Sequence, residues 1–434
     1  MHVLITGASG FIGQRIAQAL LARGCRVTAA GRSPGADPRL GFIAADFSRD
    51  TQAAAWRPRV RGVDVVINTV GIFRETATQR FAQLHVAAPR ALFEACAHEG
   101  VRGVVQLSAL GADEYATTAY HLSKKAADDA LAALPLRSAI VQPSLVFGPG
   151  GGSAELFKTL ATLPFGLRLG SGPQPVQPIH IDDAAEALAR LAMQWNEPAR
   201  TMPTGGSRRI ALVGPQAMPL QDYLAALRSA LGLGRQRVGT LPRAAARALA
   251  RLGDILPRLP INGDALSMLE RGNTADPTAT AELLGRPPRP VAEFIPAAQR
   301  DGERKLAQLN WLLPLLRLSV AAVWLATAWV SAFAYPAADS YRLLERTGVP
   351  PALGPLMLYG AAGLDLLFGL ATVVLPQRLR GPLWLAQMAL IAFYSAAIAW
   401  RLPEFLVHPY GPLTKNLPML AAIWLLYQLE KRTR

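Results

Sequence analysis

The chain opens with MHVLITGASGFIG, residues 1–13, and few folds can accommodate such a beginning. Val3, Leu4 and Ile5 form a short aliphatic run that ends at Thr6. Glycines follow at Gly7, Gly10 and Gly13, before an alanine- and leucine-rich helical pattern. This order predicts a strand, a tight turn and a helix. Each glycine meets a separate need. Gly7 lets the chain reverse, Gly10 lets backbone N–H groups approach a bound group with no Cβ in the way, and Gly13 lets the helix pack on the strand. The resulting helix N-terminus offers unpaired N–H groups and the positive end of a dipole, the setting in which a diphosphate is held. Thr6, Gly7, Gly10, Phe11, Ile12 and Gly13 are the expected cradle.

The pattern then alternates. The first helix is expected to run to about Arg23 and to end at Gly24, with residues 26–30 as a second strand. At the tip of that strand a dinucleotide fold that takes NAD usually places an acidic residue on the ribose 2′-hydroxyl, whereas this chain has Gly31-Arg32-Ser33. A guanidinium there suits a 2′-phosphate, so Arg32 favours NADP(H), with NAD(H) still open and a solvated surface arginine as the plain alternative. Residues 42–45 read as a third strand, followed by Asp46 and Phe47, where a short carboxylate can reach an adenine amino group. Residues 64–68 read as a fourth, ending at Asn68; the small residues Thr69, Val70 and Gly71 then let a cofactor lie across the sheet edge. Residues 79–99 carry helical periodicity and 103–107 form a fifth strand ending at Ser108. The expected fold is α/β, a doubly wound parallel sheet with helices on both faces.

Ser108, Tyr120 and Lys124 supply candidate chemistry. Tyr120 and Lys124 stand four apart at the start of a predicted helix and share a face. A tyrosine is a poor acid or base near neutrality, with an ordinary pKa of about 10. An ammonium one turn away is expected to lower that value and to bond the nicotinamide ribose, while Ser108 polarises a substrate carbonyl. A surface helix pair is the bland alternative for Y-x-x-x-K.

Taken together, TGASGFIG, Asp46, residues 68–71, Ser108, Tyr120, Lys124, QPSLVFGPG from Gln142 and PIHIDD from Pro178 resemble the short-chain dehydrogenase/reductase superfamily, in its extended or atypical NAD(P)-binding branch. The resemblance covers residues 1 to about 297. It implies a Rossmann core over 1–149, a substrate lobe over 150–300, and Pro143 to Val146 along the nicotinamide side. The stretch around His180 and Asp182 would support the second lobe. His180 itself has no partner at metal-ligand spacing, so no metal is expected. Three activities stay open: a dehydrogenase or reductase, an epimerase or dehydratase with tightly held NAD, and a non-catalytic NADPH-binding module. The last occurs in an accessory subunit of respiratory complex I.

Beyond residue 300 the chain turns strongly apolar. Stretches at 311–335, 353–375, 382–400 and 413–427 are each of roughly membrane-crossing length. HPYGPLTKNLP from His408 and GAAGLDLLFG from Gly360 resemble the DoxX-like family of four-helix membrane proteins, which brings no settled chemistry. Four crossings put both termini on one side. Arg300, Arg304, Lys305, Arg378, Arg380, Lys431, Arg432 and Arg434 lie on that side, against Arg342, Arg346, Arg401 and Lys415, so the nucleotide domain is expected in the cytoplasm, with the helices in a bacterial inner membrane. Arg317 and Asp365 fall inside the spans and could pair, or Arg317 could snorkel. No signal peptide is expected, because the N-terminus enters a strand directly. The net charge of +15 comes without a lysine-rich tail or a nucleic-acid motif, which excludes nucleic acid as the expected partner and points to anionic lipid. Two cysteines, Cys25 and Cys96, predict neither a disulfide framework nor a metal site. The run at 241–259 reads as a basic amphipathic helix, with Arg243, Arg247 and Arg251 on one stripe and Ala245, Leu249, Leu252 and Leu256 on an apolar side. It is either an ordinary surface helix or one lying among lipid headgroups. The expected partners are therefore a bilayer, a small and lipophilic substrate and, for the non-catalytic reading, a membrane protein.

Overall fold

Alternation within the central strands sets the layers. The computed structural model describes residues 1–35, 37–170, 172–196, 206–255, 262–409 and 411–430. The chain runs β1 His2–Thr6, α1 Phe11–Leu21, β2 Arg26–Gly31, β3 Gly41–Ala44, α2 Ala53–Val60, β4 Val65–Asn68, α3 Ala88–Glu99, β5 Gly103–Leu107, α4 Ala119–Ala132 and β6 Arg137–Pro143. It continues with β7 Val146–Phe147, α5 Gly152–Thr162, β8 Phe165–Leu169, β9 Pro175–Val176, β10 Ile179–His180, α6 Ile181–Met193 and β11 Gly206–Leu212. Then come β12 Met218–Pro219, α7 Leu220–Ala230, β13 Arg237–Leu241, α8 Arg243–Ile255, α9 Gly263–Arg271 and α10 Thr278–Leu284. Seven strands form one parallel sheet in the order β11-β6-β5-β4-β1-β2-β3. Val3, Ile5, Val65, Ile67, Val105 and Leu107 bury one face with α1 and α6, while Leu4, Val66, Val104 and Ile140 bury the other with α2 and α3. Near-continuous apolar strands are what a sheet covered on both faces requires. The strand order reverses direction between β1 and β4, and their carboxyl ends open the crevice where such sheets bind ligands.

Residues beyond β6 add a second core around Phe147, Phe157, Tyr223, Leu227 and Phe294, while β11 returns to the main sheet. β8 and β13 pair as a separate two-stranded sheet, on which α8 rests through Ala246 and Ala250. The basic helix therefore exists, but its buried edge is Ala246, Ala250 and Gly253. Ala245, Leu249 and Leu252, read from the sequence as its apolar side, are exposed, and Leu256 lies outside the described residues.

Contacts divide the chain into two units, Met1–Ala307 and Gln308–Arg434. The helices of the C-terminal part are α11 Arg300–Trp329, α12 Ala337–Arg346, α13 Gly354–Val374, α14 Gln377–Arg401 and α15 Asn416–Glu430. Among the described residues three stretches, Ala297–Ala334, Pro351–Val374 and Gln377–Arg401, are long and apolar enough to cross a membrane. The expected fourth span corresponds to α15, whose 15 residues extend about 22 Å at the helical rise. That is shorter than a hydrocarbon core of about 30 Å. The suggested Arg317–Asp365 pair does not form. Arg317 bonds Glu430 at 3.2 Å, and Arg380 bonds the same carboxylate at 3.1 Å. Glu430 ends α15, so the two guanidiniums share one carboxylate at a helix terminus, while Asp365 is buried within α13.

Candidate active site

The glycine turn has the shape its spacing predicts. Gly7 has φ +73°, and a Cβ on Gly13 would lie 2.3 Å from the Gly7 carbonyl oxygen and 2.7 Å from Thr69 Oγ1. Only glycine allows α1 to approach the ends of β1 and β4 so closely. Gly10 is the N-cap of α1, is exposed and brings no side-chain cap, so the first-turn N–H groups face outward. These residues fit a nucleotide diphosphate: they combine a helix N-terminus with a surface that side chains would otherwise fill. Phe11 packs on the loop after β7, where a Cβ on Gly151 would meet its ring at 2.7 Å. Ile12 is partly buried beside the core beneath.

Several residues expected to touch the cofactor have their side chains engaged inside the protein. Thr6 Oγ1 donates to Asn68 Oδ1 at 2.6 Å, and Asn68 Nδ2 donates to Gln106 Oε1 at 2.7 Å, a buried polar ladder across β1, β4 and β5. The Val70 N–H also donates to Asn68 Oδ1, at 3.3 Å. Phe47 is buried with its ring edge-on to Trp56 at 5.2 Å. Asp46 accepts the Ser48 N–H and hydroxyl, and these bonds, with smaller help from Arg49 and Arg32, hold its carboxyl below the usual range. Arg32 is exposed just after the end of β2. Pro143 closes β6 opposite Leu212 of β11. Ser108 follows β5, and His180, with Nδ1 accepting the Asp182 N–H at 3.2 Å, caps α6.

Lys124 ties the catalytic candidates together. Its Nζ donates to the Leu107 carbonyl at 3.1 Å and the Val70 carbonyl at 3.4 Å. It also lies where a Cβ on Gly71 would approach within 2.9 Å, so Gly71 is needed for this approach. Burial pushes the ammonium down to about 8, against the pull of Asp128. The resting phenol departs from expectation. Burial, with the Asp128 carboxylate adding to it, pushes Tyr120 up to about 12. The Tyr120 ring sits among Phe73 at 5.2 Å, His121 at 5.4 Å and His85 at 5.8 Å. Ser108 also departs from expectation: its hydroxyl donates to Asp128 Oδ2 at 2.5 Å instead of facing a substrate.

Two residues at this site escaped the sequence reading. Asp128 lies one turn beyond Lys124 on the same face of α4 and is fully buried. Burial pushes its carboxyl up to about 7, opposed by Ser108, Lys124 and Arg209. The i, i+4, i+8 spacing of Tyr120, Lys124 and Asp128 is the signal that could have revealed it. His85, in the π-helical turn Ala82–Ala87, carried no such signal. Its Nε2 accepts the Ile72 N–H at 2.9 Å and its Nδ1 contacts Ser123 Oγ at 2.8 Å. Because Ser123 donates to the Tyr120 carbonyl, the hydrogen of the neutral imidazole is on Nδ1.

Burial, reinforced by Lys124, pushes His85 down to about 3. The folded state thus excludes a proton that the unfolded chain binds below its ordinary 6.5, so this group's contribution to stability is present above pH 6.5 and falls as the pH drops towards 3. His85→Gln should unfold earlier than wild type at pH 7, and the difference should shrink steadily between pH 6.5 and 3. Thermal unfolding of the detergent-solubilised full chain measures both.

Comparison with known proteins agrees with this geometry. Residues 3–200 match the NAD dependent epimerase/dehydratase family, and residues 321–424 the DoxX-like family. A ceramide reductase from Caulobacter vibrioides is 30% identical over 197 residues, 43% of this chain and 59% of that protein. The mitochondrial NADH-ubiquinone oxidoreductase 40 kDa subunit from Neurospora crassa is 24% identical over 213 residues, 47% of this chain and 55% of that one. The chain therefore spans little more than half the length of these curated relatives. In fold it resembles an Escherichia coli NADPH-dependent quinone oxidoreductase complexed with NADPH, with a TM-score of 0.52 and 19% identity over 68% of this chain and 98% of that one. The chain thus joins an NAD-dependent epimerase/dehydratase-type Rossmann domain in its N-terminal part to a DoxX-like domain in its C-terminal part.

Proposed function

We propose that this protein is a membrane-anchored, NADPH-preferring reductase of the short-chain type acting on a carbonyl of a lipophilic substrate. The observation that carries the reading is the position of Lys124, under Gly71 at the end of β4 and bonded to the carbonyl before Ser108. That position supports a site in which Tyr120, Lys124 and Ser108 act together near the glycine cradle. Similarity to a ceramide reductase supports a lipid substrate. The distribution of basic residues between the apolar stretches supports a cytoplasmic nucleotide-binding unit, a reading that needs the short α15 as a fourth crossing beside the three candidate spans.

Bound in the cradle, NADPH would supply a hydride to the substrate carbonyl carbon. The oxygen then needs a proton. A phenol near 12 is protonated at neutral pH, and an alkoxide is about as basic as hydroxide, whose conjugate acid has a pKa near 15.7, so transfer from Tyr120 to the new alkoxide runs downhill. Lys124 then acts on the phenolate left behind rather than on the resting phenol. Ser108 can donate to the substrate oxygen only when its hydrogen is released from Asp128. A protonated Asp128 does this, because it can donate to Ser108 Oγ and reverse the bond.

A second reading, an NADPH-binding module without turnover, draws on the same resting bond between Ser108 and Asp128, which occupies the donor a carbonyl would need. The family match also leaves room for an epimerase or dehydratase, whose NAD would copurify and never be consumed.

In the full-length protein, Tyr120→Phe should lower NADPH oxidation at least ~100-fold with cofactor affinity nearly unchanged. Continued turnover in that variant would exclude Tyr120 as the acid. Arg32→Ala should weaken NADPH binding about tenfold and leave NADH binding alone, as titration of cofactor fluorescence would show. For wild type, kcat/KM for reduction should fall as the pH rises through about 7, where Asp128 ionises. Asp128→Asn, which keeps a donor to Ser108, should remove that fall.

A further inference from the structure

Apolar side chains gather with exposed arginines on one part of the second lobe. In the β8–β13 pair, Phe165 lies opposite Arg237, Leu167 opposite Gly239 and Leu169 opposite Leu241. Strand alternation puts Phe165, Leu167 and Leu169 on one face. α8 covers the Leu169–Leu241 end of that face with Ala246 and Ala250, and leaves Phe165 and Leu167 64% and 60% exposed. α8 presents two outward flanks of its own. Leu249, Leu252 and Ile255 recur at three-residue spacing along one, with Ile255 75% exposed. Arg243, Arg247 and Arg251, all exposed, run along the other. Among the described residues none of these arginines, nor Arg168 or Arg237 on the two strands, forms an ion pair with a carboxylate.

We propose that β8, β13 and α8 form a lipid-contact surface that lies in the headgroup region of an anionic bilayer, with Phe165, Leu167, Leu249, Leu252 and Ile255 entering the acyl boundary. Three features select this occupant. A helix apolar on one flank and basic on the other suits a plane where hydrocarbon meets anionic headgroups. The same chain carries three candidate membrane spans, so a bilayer is always within tethered reach. A second copy is disfavoured, because self-pairing would bring two uncompensated arginine stripes together. The surface is independent of the reductase reading, since none of its residues belongs to the candidate active site.

The test uses the full chain in lipid nanodiscs. Cys25 and Cys96 are buried, so single cysteines placed by Leu252→Cys and Phe165→Cys can be labelled selectively with bimane. Exposed Arg90 on α3, replaced in Arg90→Cys, serves as the control site. In discs containing phosphatidylglycerol, the labels at 252 and 165 should shift to the blue and be quenched by brominated lipid, and the label at 90 should do neither. The combined variant R243E/R247E/R251E should abolish the quenching while keeping the thermal unfolding transition of wild type, which shows that it remains folded. Labels at 252 and 165 that stay solvent-exposed would overturn the proposal. So would quenching that is equally strong in pure phosphatidylcholine and insensitive to the arginine changes, and so would protection that persists in detergent and grows with protein concentration, the sign of a second copy.

Discussion

The nucleotide unit depends on a single close approach, that of α1 to the carbonyl of Gly7, which is possible only because residue 13 has no Cβ. Thr69 completes the contact from β4 by donating to the Thr6 carbonyl at 2.7 Å, so β1, β4 and the helix N-terminus are locked at the place where the strand order reverses. The device recurs nearby. A Cβ on Gly103 would lie 2.2 Å from the Trp195 ring, and one on Gly148 would lie 2.2 Å from Ile181, so α6 and the turn that follows it are drawn onto the sheet in the same way. Interiors packed to crystal-like density leave no slack for such groups. Bringing the backbone this close is what turns an ordinary parallel sheet into one that offers N–H groups to an anion.

A second constraint follows from burying polar groups beneath the crevice. A buried donor or acceptor without a partner costs about 1–3 kcal/mol. The Thr6–Asn68–Gln106 ladder meets that demand within the sheet and keeps these side chains away from a bound cofactor. Ser108, Lys124 and Asp128 meet it only in part, since Asp128 Oδ1 has no hydrogen-bond partner among the described residues, while the lysine and the carboxyl can exchange a proton. Lys124 is pushed down and Asp128 pushed up, so their ordinary difference in proton affinity is nearly lost. Groups brought this close in affinity can redistribute protons near neutrality, which an ordinary surface lysine and aspartate could not do.

What was legible in the sequence depended on local repetition. β1, β4 and β5 could be read because short aliphatic runs end at small residues, and the cradle because three glycines at fixed spacing have few other uses. Tyr120 and Lys124 were found through helical spacing, but their electrostatics were misread. Spacing shows the ammonium one turn away, but not the burial that raises the phenol. Asp128 was within reach of the same argument carried one turn further. His85 was not, because its role exists only once the loop at Ile72 and the helix carrying Ser123 have come together. The apolar flank of α8 was visible as a pattern. Its direction was not, since only β8 and β13 determine which edge is covered.

The membrane unit shows the same limit from the other side. Two opposite charges within predicted spans suggest a pair, yet Arg317 joins Arg380 at Glu430, which also accepts the Trp384 indole N–H at 3.3 Å. A carboxylate at the last turn of α15 keeps access to the polar region beyond the helix, so gathering two guanidiniums there avoids the cost of desolvating an ion pair deep among apolar helices. Asp365 is left on α13 with Oδ1 unpartnered among the described residues, and deeper in the bundle the polar contact is neutral, Gln387 donating to Thr372 at 2.8 Å. The buried ion pairs of these helices thus gather at Glu430, near a helix end, while the Gln387–Thr372 contact within the bundle is a neutral bond that costs less to bury.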